Sequence, residues 1–352
     1  MGGDPKLLEK EGLCLLSLDG GGVRGLSSLY TLRSLMKRLN KERGAPVKPC
    51  DLFDLIGGTS TGGLIAIMLG RLEMEVDECI QSYVDLMGKV FHKGRVWNPF
   101  SITLAGNRRA RFDSRKLEEA IRAVILKQNI NPDEPFNDGK VRGCRVFVCT
   151  TSKRYTNTAT TILRSYDPPE DVLTFYPTII EAALATSAAP TFFDDVQIGE
   201  RGFVDGGLQL NNPVAKVEEE ASDIWCPKNG ELKPLVKCFV SIGTGYPKEV
   251  TVQDRTLRFL AVTAVSLASE TEITAKEFIK RWRGHYDENR YFRFNVQHGL
   301  DKIGLEEYQK RGAVEEAAEN YLSQQELRGS LRRCVANLKE KESVWIDNCD
   351  YA

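Results

Sequence analysis

Ser60 lies in Gly58-Thr59-Ser60-Thr61-Gly62, a G-x-S-x-G run, and Asp205 opens Asp205-Gly206-Gly207 far downstream. A serine hydroxyl becomes a useful nucleophile only when a neighbour takes its proton, and this run presents such a serine where a strand turns sharply into a helix. An apolar run, Leu52 to Ile56, precedes Ser60, and a helix-like run, Leu64 to Leu69, follows it. A third segment, Asp19-Gly20-Gly21-Gly22-Val23-Arg24-Gly25, runs out of the apolar stretch Leu13 to Leu18. Consecutive glycines at a helix start offer backbone N–H groups to an anion, either a phosphate or the oxyanion of ester cleavage. The serine after a second strand favours the oxyanion.

The partner of Ser60 follows from what else the chain contains. A serine triad on such a turn needs a histidine late in the chain, after the acid. Only His92, His285 and His298 are present. His92 precedes the acid, the other two sit in polar, loop-like surroundings, and none occupies a motif of its own. Activation therefore falls to a carboxylate, and Asp205 is the candidate. Asp-Gly-Gly alone is an ordinary turn signal; it gains meaning beside the other two motifs. A carboxylate is a weak base in water, so Asp205 must bond Ser60 closely and be buried enough to raise its pKa. Arg24 either buttresses the glycine loop or meets a substrate phosphate.

These groups need a scaffold that brings strand ends together. Apolar runs at Leu13 to Leu18, Leu52 to Ile56, Arg145 to Thr150, Thr160 to Leu163 and Val236 to Ile242 predict strands. Helical periodicity covers Leu26 to Leu39, Leu64 to Leu69, Val76 to Met87, Ser114 to Leu126 and Thr178 to Thr186, with Asp113-Ser114 as a cap. This alternation predicts an α/β fold of three α/β/α layers with a largely parallel central sheet. Residues 128–143 and 227–234 read as surface loops. From Leu305 the sequence turns charged and helical, so residues 10–304 are assigned to a catalytic domain and 305–352 to a C-terminal helical extension.

The motif set resembles the patatin-like phospholipases, a family of lipid acyl hydrolases. The resemblance rests on Asp19 to Gly25, Gly58 to Gly62 and Asp205-Gly206-Gly207. Supporting matches are Ala110 to Ser114, Thr186 to Pro190, Asn211-Asn212-Pro213 and Ser241 to Gly245. It implies a Ser60-Asp205 dyad, an oxyanion hole at Gly20, Gly21 and Gly22, a calcium-independent phospholipase A-type activity and a lipid substrate at a membrane or micelle surface. The family also includes acylglycerol lipases and transacylases. With Phe192-Phe193-Asp194, the chain is similar to patatin-like domains that open fungal immune-receptor-like proteins, which implies an effector hydrolase switched by self-assembly.

Composition excludes other classes. A net charge of −1 over 352 residues argues against nucleic acid as a partner. No cofactor or metal is expected, because neither H-E-x-x-H nor an EF-hand pattern occurs. The glycine loop lacks the Gly-Lys-Ser/Thr ending of a nucleotide P-loop. Nine cysteines without C-x-x-C pairing suggest reduced thiols, and Met1 to Lys10 is too polar for a signal peptide. No apolar stretch approaches the ~20 residues of a membrane span. A cytoplasmic protein with peripheral membrane contact is expected. Leu257 to Val265 reads as a core helix or acyl-pocket wall, and Phe278, Lys280, Arg281, Trp282 and Arg283 as a candidate interfacial patch.

Overall fold

The computed structural model describes residues 12–91, 110–154, 160–168, 174–246, 258–301 and 303–342, with backbone alone for 258–269. Its centre is an eight-stranded sheet in the order β5-β6-β3-β2-β1-β7-β8, with β4 also on β3. The middle strands are β1 (Leu13–Leu18), β2 (Leu55–Thr59), β3 (Arg145–Ser152) and β7 (Val236–Ile242). They pair in parallel, and β7 pairs in parallel with β8 (Tyr291–Phe294). β4 (Thr160–Arg164), β5 (Val196–Ile198) and β6 (Arg201–Asp205) run antiparallel.

All six residues of β1 are buried, yet they serve two cores. Cys14, Leu16 and Leu18 face one apolar cluster and Leu13 and Leu15 the other. Alternate side chains point to opposite faces of a strand, so a sheet covered on both sides needs an unbroken apolar run. One face is covered by α1 (Gly25–Arg43), α2 (Thr61–Ala66), α3 (Val76–Phe91), α4 (Ser114–Lys127) and α5 (Ile179–Ser187). The other is covered by α6 (Val214–Trp225) and the end of α7 (Arg258–Arg281). The three-layer expectation holds. Asp113 caps α4 by accepting from Arg115 N at 3.1 Å, as expected.

Four expectations need correction or refinement. β2 begins at Leu55, because Pro49–Leu52 forms a helical turn and Phe53-Asp54 leads into the strand. The aromatic part of the expected interfacial patch is buried: Phe278 and Trp282 stack with centroids 5.4 Å apart and pack on Phe239. Arg281 pairs with Glu218, and Arg283 lies 3.5 Å from Asp287. Helix periodicity hid these aromatics, since basic neighbours on the exposed side of a helix say nothing about the side turned inward. The helices α8 (Arg311–Ser323) and α9 (Gln325–Leu338) contribute Val314, Leu331, Val335 and Leu338 to the main core. Beyond them Lys341 Nζ, almost fully buried, bonds Asp54 Oδ2 at 2.9 Å and the Gly12 carbonyl at 3.0 Å. The expected loop 128–143 is pinned by Arg71, which bonds Phe136 O at 2.9 Å and Glu134 at 2.8 Å. Among the described residues no helix is long and apolar enough to cross a membrane.

Candidate active site

The register around β3 brings Ser60 and Asp205 together. β2 and β4 occupy opposite edges of β3, because their pairings overlap. β2 stops with Thr59 opposite Cys149, and β6 takes over the same edge with Asp205 opposite Thr150. The residue after β2 and the last residue of β6 are therefore neighbours. Ser60 Oγ donates a 2.6 Å hydrogen bond to Asp205 Oδ2.

Ser60 adopts φ 55 and ψ −124, a conformation that side chains other than glycine's rarely take. The surroundings enforce it. A Cβ on Gly58 or Gly62 would overlap backbone, of Gly62 and Leu18 respectively, so neither position admits a larger residue. Ser60 N–H donates to Thr186 Oγ1 at 2.9 Å, and that hydroxyl donates onward to the Cys149 carbonyl at 2.7 Å. Asp205 N–H donates to the Ala188 carbonyl at 3.0 Å. The segment closing α5 thus holds both partners.

Asp205 is 5% exposed, whereas Ser60 is half-buried and reachable. Burial pushes the Asp205 carboxyl up to about 6 against the opposing pull of the Ser60 hydroxyl and the Gly207 N–H, which donates to Oδ1 at 2.7 Å. This carboxylate has lost its water shell and accepts two directed hydrogen bonds in exchange. Such a group is ionised above about pH 6 and is a stronger base than an exposed aspartate. Among the histidines, His285 contacts the Lys233 carbonyl at 2.9 Å, His298 is exposed, and His92 lies outside the described residues.

The glycine loop follows β1 and lies against Ser60; a Cβ on Gly20 would come within 3.1 Å of Ser60 Cβ. Its donors are not equivalent. Gly20 N–H is taken by the Asn211 carbonyl at 3.0 Å and Gly21 N–H by Thr61 Oγ1 at 3.1 Å. Gly22 N–H has no protein acceptor among the described residues. Gly22 also has φ 57, and a Cβ there would strike the Leu305 backbone. The loop's carbonyls are held as well: Thr244 Oγ1 donates to Gly20 O at 2.7 Å and Tyr83 OH to Gly22 O at 2.6 Å. Arg24 is 7% exposed, and its Nε reaches Gly21 O at 3.4 Å. Burial pushes its guanidinium down to about 10. The side chain thus lies against the backbone of the glycine loop.

Asp19 is fixed by Arg293, whose Nη1 and Nη2 bond its two oxygens at 3.0 and 2.6 Å. Arg293 also reaches Ser241 Oγ at 2.9 Å and Glu272 at 3.4 Å, and Glu272 accepts from Asn295 at 2.6 Å. Burial pushes Asp19 up to about 6 while the guanidinium pulls it back. Thr61, Asn211 and Thr244 lie in motifs legible in the sequence; Tyr83 and Arg293 carry no signal of their own. The expected pocket wall from Phe259 to Val265 has only its backbone described, within α7, and Leu257 lies outside the described residues.

A family profile described as Patatin-like phospholipase matches residues 16–217. Human calcium-independent phospholipase A2-gamma is 32% identical over 297 residues, covering 81% of this chain and 34% of the relative. Patatin-like phospholipase 1 of Plasmodium falciparum is 28% identical over 350 residues, covering 91% of this chain and 48% of the relative. This chain thus spans between a third and a half of the length of these two relatives. The likeness to the solved structure of VipD from Legionella pneumophila is slight, with TM-score 0.35 at 11% identity over 89% of this chain and 67% of that one.

Proposed function

The chain belongs to the patatin-like phospholipase family, and from that membership we propose that it is a lipid acyl hydrolase of the phospholipase A type, working through a Ser60-Asp205 dyad. The observation that carries this reading is the 2.6 Å bond from a half-buried serine in a strained turn to a buried carboxylate. In the first step Ser60 Oγ attacks the ester carbonyl and its proton passes to Asp205 Oδ2. The carbonyl oxygen becomes an oxyanion facing the glycine loop, where the Gly22 N–H is open and the Gly21 N–H can exchange its hydroxyl acceptor for a stronger one. Collapse breaks the ester bond, and the departing alcohol takes the proton from Asp205. Water then attacks the acyl-serine, gives its proton to Asp205, and releases the fatty acid with Ser60 restored.

No step passes through a metal or cofactor, and the lipid class is set by pocket walls rather than by the dyad. The relatives' names favour phospholipid. The test is fatty acid release from mixed phospholipid and acylglycerol vesicles in excess chelator, comparing wild type with Ser60→Ala. Release by the wild type, abolished in the variant at unchanged folded content, is expected. Turnover retained by Ser60→Ala would remove Ser60 from the reaction.

A further inference from the structure

The chain after β8 returns to the glycine loop. Val23 N–H donates to the Leu305 carbonyl at 2.8 Å, and Gly22 presses so closely on Leu305 that no side chain fits between them. The next residue, Glu306, holds Arg111 Nη1 at 2.6 Å. Arg111 N–H donates to the Thr191 carbonyl at 2.9 Å, and its guanidinium lies 5.3 and 5.9 Å from the ring centroids of Phe112 and Phe192. Thr191 and Phe192 follow, after Ala189 and Pro190, the α5 end that holds Ser60 N–H and Asp205 N–H. The contacts close a ring: dyad, α5 end, Arg111, Glu306, Leu305, glycine loop, and back to Ser60. Arg111–Glu306 is a side-chain ion pair joining the dyad side of the ring to the oxyanion side.

We propose that Glu306 and Arg111 are positioning residues for acyl transfer, holding the Leu305 carbonyl against Val23 so that the glycine loop keeps its place against Ser60. Neither touches substrate in this role. A carbonyl cannot be deleted by substitution, but the ion pair that places it can. The pair is partly buried, with side chains 29% and 22% exposed, so water competes incompletely for it. Loosening it lets the loop drift while the dyad stays bonded. Small misplacements of an oxyanion donor reduce turnover more than binding, because the interaction strengthens only in the transition state.

The proposal rests on the hydrolase reading, and the experiment separates the two. Glu306→Gln, Arg111→Gln and the exchange Arg111→Glu with Glu306→Arg are compared with wild type for kcat and KM on phospholipid vesicles. Thermal unfolding and deuterium uptake by residues 20–25 are measured alongside. Each single variant is expected to lose roughly tenfold in kcat, with KM and melting temperature near wild type and faster uptake in the loop. The exchange variant should recover most of the kcat and the slow uptake. Normal kcat and uptake in the single variants overturn the role, as does an exchange variant no better than they are. A wild-type chain that releases no fatty acid overturns the hydrolase reading, and the positioning role with it, whatever the uptake shows.

Discussion

Asp205→Asn should make the protein more stable while stopping the reaction. Burial raises the Asp205 pKa from 3.8 to about 6, a rise of about two units. At about 1.4 kcal/mol per unit, ionising this group inside the protein costs about 3 kcal/mol more than in the unfolded chain. The sign follows from proton binding. Below the unfolded pKa the group is neutral in both states, and folding carries no penalty. As pH rises towards about 6 the unfolded chain ionises first, so wild-type stability falls until the folded group ionises too. Asparagine has no such term, keeps an oxygen for the Gly207 N–H and offers an amide to Ser60 Oγ. Denaturant unfolding at pH 8 should place the variant about 3 kcal/mol above wild type, shrinking to about 1 kcal/mol at pH 4.5. Fatty acid release should be lost, since an amide takes no proton from serine. A variant equal to or weaker than wild type at pH 8, with no pH dependence in the difference, would refute the strained-carboxylate account.

The same titration should appear in the kinetics: kcat/KM is expected to rise with pH along a limb centred near 6, where Asp205 gains its charge, and a flat profile from pH 5 to 8 would remove Asp205 as the base. Gly21→Ala would drive a methyl into the Thr244 side chain and displace the loop, and it should lower kcat by at least ~100-fold in the vesicle assay. Arg293→Met leaves Asp19 buried beside Glu272 without its cation, and denaturant unfolding at neutral pH should show a loss of about 3–5 kcal/mol. Adding Asp19→Asn should recover much of that loss.

The parallel strands β1 and β7 were legible because burial on both faces favours a largely apolar run, and both fall on the expected residues. β5, β6 and β8 are three to five residues long and carry charged or polar positions, so neither length nor periodicity marks them. Ser60 and Asp205 were legible as motifs and were expected to meet, but the route by which they meet was not legible. It depends on β6 continuing the edge of β3 that β2 leaves, a matter of register between segments far apart in the chain. Glycine spacing marked the loop after β1, yet which of its N–H groups stay open depends on Asn211 and Thr61 from other elements. The Phe278 and Trp282 patch misled for the same reason: composition reports which residues are adjacent in sequence, and the packing of α7 on β7 decides which face water.

Lys341 and Asp54 stand 287 residues apart and meet inside the protein, and β1 has β7 as a sheet neighbour more than two hundred residues further on. Ribosomes add about 5–20 residues per second. The first strand therefore leaves the exit tunnel on the order of ten seconds or more before the strand that covers its edge. During that interval a largely apolar strand and an unneutralised Asp54 have only partial shelter. Long-range pairing of this kind folds slowly and exposes sticky edges. Yield in a cell should therefore track chaperone supply during synthesis more closely than it tracks the stability of the finished protein.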